Sequence, residues 1–273
     1  MRLTYEELIA PPDVPITLSI GHIKQPTLRE IWKHGVNLFR LYQVYMRLTP
    51  NDYFTQLNRE ACEKYWNTLS DEQQKGMTMF DIVLLDDDVA IFYQEILNFF
   101  FMERVVRRDN VFVLVDTNDY ISADKDLEID TSNYVGFIHS KNFDDVMDIL
   151  QQVCCIKSDN PMDEKMPKFK NEKAKRLYEK MLKAKKKQEE KINEKERVNL
   201  SLPNIISATA AKCPGLNIVN IWDTTLFSLY DQFNKTQDFE MYYINAIRVS
   251  VWGDEKNQFD SSLWYKNHYD KTK

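Results

Sequence analysis

The residues of this chain best suited to chemistry are four histidines, four cysteines and one run of three aspartates. His22, His34, His139 and His268 form no pair at i, i+3 or i, i+4, the spacing that sets two imidazoles on one helix face around a metal. None lies within ten residues of Cys62, Cys154, Cys155 or Cys213, and no C-x-x-C is present. The cysteines therefore read as buried free thiols of a reducing compartment. Asp86, Asp87 and Asp88 could hold Mg²⁺ through carboxylate oxygens. They directly precede the run VAIFYQEILNFFFMERVVRR, however, where acids stabilise the positive end of a helix without any metal. The chain has six glycines and neither a G-x-G-x-x-G nor a G-x-x-x-x-G-K-[ST] phosphate loop. No G-x-S-x-G or H-E-x-x-H occurs either. The sequence proposes no reaction, no metal and no cofactor, so the reading is of a non-enzymatic protein.

The elements around these residues follow from caps and periodicity. Thr27 and Glu30 have capping-box spacing at the start of a helix whose apolar face is Leu28, Ile31, Trp32, Phe39, Tyr42 and Met46. Thr49 with Pro50 marks a second start, and Ser70 with Gln73 a third. The helix after the aspartates is apolar almost all round (Val89, Ile91, Phe92, Ile96, Leu97, Phe99, Phe100, Phe101), which predicts a place in the centre of a core. VFVLV at 111–115, LEI at 127–129 and YVGFIH at 134–139 read as short strands, and Asn142 is placed to cap a closing helix. Further on, Ser201, Asp223 and Thr236 can each cap a helix, and Gly253 stands where a glycine stops one.

Charge divides the chain into blocks. Residues 1–164 carry 15 basic and 28 acidic residues, whereas Lys165 to Arg197 carry 14 basic and 6 acidic ones, within a chain of net charge −6. The basic block is rich in helix formers and would be a rod of about 50 Å if continuous. The expected class is mainly α with a small β-section. It comprises an acidic α+β domain over 1–160, a basic connector helix over 161–198 and a small helical bundle over 199–273. Lysines such as Lys183, Lys185, Lys186 and Lys187 could neutralise phosphates. The six interleaved glutamates and the scarcity of stacking aromatics favour a solvated connecting helix over a nucleic-acid surface. The N-terminus lacks the basic start and apolar run of a signal peptide, and no stretch approaches 18 apolar residues, which predicts a soluble, cytoplasmic chain with no membrane contact.

The last 75 residues carry a resemblance. SLPNIISATAAKCPGLNIVNIWDTTLFSLYDQFNK, then YYINAIRVSVWG and FDSSLWYKN, resemble the C-terminal part of tail assembly chaperones of long-tailed bacteriophages of Gram-positive hosts. The opening GHIKQPTLREIWKHGVNLFRLY is similar to proteins encoded beside tail tube and tape-measure genes. The resemblance implies a frameshifted long form. In such a form a shared N-terminal domain coats the tape-measure protein and an added C-terminal domain recruits tail tube subunits in the host cytoplasm.

On that expectation the connector is a spacer between two binding modules, raising the effective concentration of the second partner. Trp222, Phe227, Tyr230, Phe233, Trp252 and Trp264 are the candidate partner contacts, with burial of the first four in a core as the competing reading. A structural virion protein of the baseplate or tail-completion type and a nucleic-acid adaptor using the basic connector are the alternatives.

Overall fold

The computed structural model describes residues 1–56, 60–116, 133–156, 201–254 and 259–269. The expected strand at 127–129 and the connector over 161–198, with Lys183, Lys185, Lys186 and Lys187, lie outside the described residues. The chain is mainly α with a small β-section, and its packing divides it into two compact units. The first is Met1–Ile156 together with Asp223–Ser228; the second holds the described residues of 201–222 and 229–269.

The first unit begins with helix α1 (Tyr5–Ile9) and a hairpin of β1 (Ile16–Leu18) and β2 (Gly21–Ile23). Then come α2 (Leu28–His34), α3 (Val36–Tyr45), α4 (Pro50–Gln56), α5 (Glu60–Thr68), α6 (Asp71–Gly76), α7 (Met79–Leu85) and α8 (Asp87–Phe100). The antiparallel sheet β3 (Arg104–Arg108), β4 (Val111–Val115) and β5 (Tyr134–Ile138) follows, closed by α9 (Phe143–Val153). The capping boxes at Thr27–Glu30 and Ser70–Gln73 form as expected. One expected helix is two. Gly35, at φ 113°, separates α2 from α3, a backbone setting that favours glycine. Trp32 is exposed, off the expected apolar face.

The aspartate run is a cap. Asp86 Oδ1 accepts from the amides of Asp88 (3.0 Å) and Val89 (3.3 Å), satisfying donors that an α-helix leaves open at its start. Helix α8 then buries Val89, Ala90, Tyr93, Ile96, Leu97, Phe99 and Phe100. Ile91 points outward, so the all-round apolar pattern is not matched by all-round burial.

The core joins α7, α8, α9 and the sheet through rings. Phe143 lies 5.1 Å from Phe80 and 5.2 Å from Tyr93, and Phe80 meets Phe112 of β4 at 6.3 Å. Asn98 exchanges two 2.8 Å hydrogen bonds with the backbone of Val105, locking α8 to β3. Tyr93 donates to the Tyr45 carbonyl at 2.7 Å, and burial pushes its hydroxyl well above the usual tyrosine range. The β1–β2 hairpin sits so close to the sheet that a Cβ on Gly136 would stand 2.2 Å from the Ile20 carbonyl oxygen. Glycine is obligatory there for space alone.

In the second part of the sequence, α10 (Leu202–Lys212) starts after Ser201 and stops at Cys213, ahead of Pro214. A 3₁₀ turn at Ile221–Asp223 leads to α11 (Leu226–Trp252), and a second turn covers Leu263–Tyr265. The expected break at Thr236 is absent. Its hydroxyl donates to the Gln232 carbonyl at 2.7 Å, four residues back, and no glycine or proline interrupts 226–252. Two expected helices are thus one of 27 residues, about 40 Å long. Asp223 is not its cap either. Thr225 Oγ1 accepts from the Ser228 amide at 3.1 Å, while Asp223 holds Arg29. Gly253, at φ 76°, ends the helix as expected.

Candidate interaction surface

The segment Asp223–Ser228 is built into the first unit. Thr225 pairs with Thr27 as an antiparallel bridge, and the Leu28 amide donates to the Thr224 carbonyl at 2.9 Å. Arg29 Nε donates to Asp223 Oδ1 at 2.8 Å, which holds the Asp223 carboxyl below the usual range. Thr225 and Leu226 are buried, and Phe227, 7% exposed, packs edge-on against Tyr5 at 5.9 Å. Of the six aromatic residues singled out from the sequence, Phe227 is therefore committed to a core.

The others separate by exposure. Trp222 is half-buried and donates its indole N–H to the Ile218 carbonyl at 2.8 Å. Tyr230 and Phe233 are also half-buried. Trp252, 76% exposed, and Trp264, 47% exposed, face solvent, the latter edge-on to Tyr265 at 5.1 Å.

Sequence reading missed the larger feature, which is the distal half of α11. Phe239, Met241, Tyr243, Ile244, Ile247 and Val251 are all exposed there beside Trp252. The signal was present. DFEMYYINAIRVSVW holds too many large apolar residues for one stripe, so a helix through it must leave some uncovered. Another face of the helix is covered by its own tail: Tyr242 packs on Phe259 at 5.6 Å, and His268 pairs with Asp238. Lys212 Nζ meets Glu240 Oε1 at 2.8 Å, and Cys213 Sγ lies 3.2 Å from Thr236 Oγ1, fixing α10 to α11.

A groove of about 470 Å³ in the first unit is lined by Tyr53, Phe54, Tyr65, Ile82, Leu85 and Asp86–Asp88. Two of its three carboxylates already have partners. Asp86 accepts from the Tyr53 hydroxyl at 2.5 Å as well as capping α8, and Asp87 pairs with Arg107 at 2.6 Å. Among the described residues no group of three or more His, Cys, Asp or Glu is placed to hold a metal ion. No described helix is long and apolar enough to cross a membrane.

Residues 185–269 match a family model described as the YomV second domain, a phage-associated family, over under a third of the chain. This part of the protein is similar to a phage domain, and the match takes in the end of the basic block as well as α10, α11 and the tail. No curated protein and no solved structure matches the chain.

Proposed function

We propose that this phage-related chain is a non-enzymatic adaptor of tail assembly, acting in the host cytoplasm to bring tail tube subunits to the tape-measure protein. The observation that carries the reading is the bare apolar surface of the second unit, on α11 and at Trp264 and Tyr265. Exposed apolar surface on that scale is a mark of protein–protein contact. It falls within the residues that match the phage domain. Trp252 is the anchor of choice, because exposed tryptophans at interfaces contribute disproportionately to binding.

The test is complementation of a phage lacking the gene, paired with capture of tail tube protein by the purified full-length chain. Trp252→Ala should weaken capture at least about tenfold, the loss typical of a hot-spot residue, while leaving the helical circular dichroism signal unchanged. Unaltered capture would refute the assignment of the surface. Stoichiometric presence of the protein in purified particles would refute the chaperone reading in favour of a structural virion component.

A further inference from the structure

One stripe of α11 is self-complementary when read in opposite directions. Met241, Ile244, Ile247 and Val251 recur at spacings of three and four, which keeps them on one side of the helix, and they are between 48% and 64% exposed. Glu240 and Arg248 flank the stripe at equal distance from Ile244, four residues before it and four after. If two such helices cross antiparallel at Ile244, each Glu240 faces the Arg248 of the other copy and Met241 faces Ile247. A parallel crossing would set Glu240 against Glu240 and Arg248 against Arg248. Charge thus selects the antiparallel arrangement, and that arrangement has the two-fold symmetry of a closed dimer.

From this we infer that the α11 stripe is covered by a second copy of this chain, paired antiparallel about Ile244. The inference deepens the adaptor reading given above, since it assigns one stripe of the same bare surface to self-association. Trp252, about 80° round the helix from Ile244, borders the stripe, whereas Phe239 and Tyr243, about 140° and 100° round, lie outside it. At on the order of 100 Å² from each, the four stripe residues and Trp252 fall short of the roughly 800 Å² per partner of a standard interface, which places the dimer at the weak end. Glu240 already holds Lys212 at 2.8 Å, but a carboxylate has lone pairs for a second cation, and its side chain is 45% exposed. A dimer would present the adaptor's remaining exposed aromatics twice, which raises avidity for a repeating partner such as a tube subunit array.

Sedimentation velocity of the full-length chain tests this over on the order of 10–100 μM, the range suited to an interface of modest size. A monomer–dimer equilibrium is expected, and Ile244→Asp should abolish it. Glu240→Arg alone or Arg248→Glu alone places like charges together twice and should weaken the dimer at least about tenfold. The double variant Glu240→Arg/Arg248→Glu restores opposite charges across the interface and should recover the dimer. A wild-type chain that stays monomeric throughout overturns the inference. So does a double variant no tighter than the single ones, provided circular dichroism shows the helices intact. Tube-protein capture, run in parallel, keeps the two readings apart. A monomer that captures tube protein overturns only the self-pairing, and a dimer that does not capture it overturns only the tail reading.

Discussion

Replacing Phe227 with alanine should release the segment Asp223–Ser228 from the first unit without unfolding that unit. Phe227 is 7% exposed, so nearly its whole ring leaves water on docking, and it adds an edge-on contact to Tyr5. Buried Phe→Ala substitutions cost about 3–5 kcal/mol, with 0.5–1.5 kcal/mol of an aromatic pair included. The lower end applies here, because a short segment can relax around the gap, so about 3 kcal/mol is expected. The local reporter is the Leu28 amide, which donates to the Thr224 carbonyl and is exposed whenever the segment lifts. If the amide exchanges through that opening, 3 kcal/mol corresponds to about a hundredfold faster hydrogen exchange. Amides of the β3–β4 pair, such as those of Val106 and Val113, should keep their protection and serve as the internal control. A change at Leu28 of less than about threefold would show that Phe227 does not hold the segment, and the reasoning from its burial would fail.

Two further outcomes are expected. Gly136→Ala should destabilise the first unit by about 3 kcal/mol or more, measured by urea unfolding, because the added methyl would stand 2.2 Å from the Ile20 carbonyl oxygen. Acid should loosen the Asp223–Ser228 segment. The Arg29 guanidinium lowers the folded-state pKa of Asp223, so the carboxylate's contribution is present above its unfolded value near 4. It is lost as pH falls through the depressed folded value, and Leu28 exchange corrected for intrinsic rates should rise over that window. Asp223→Asn should remove this pH dependence.

Local signals in the sequence settled what depends on neighbouring residues. Thr27 with Glu30, Ser70 with Gln73, Asp86 before α8 and Gly253 after α11 all act where their side chains or φ values reach only a turn away. The strand at Val111–Val115 was legible for the same reason, as a β-branched run between turn residues. Cap residues that had a better partner elsewhere were misread. Thr236 bonds its own helix backbone, and Asp223 pairs with Arg29, nearly two hundred residues away in sequence.

Tertiary structure alone decided which apolar residues are covered. Phe227 and Trp252 sit in the same helix and look alike in the sequence, yet one is core and the other 76% exposed. The difference is the presence of a packing surface. Leu226 and Phe227 continue a backbone bridge that carries them onto the first unit, whereas Met241, Ile244, Ile247 and Val251 stay exposed. Composition fixes how much apolar surface a helix has, but burial is a property of two surfaces, and the second one is set by the fold.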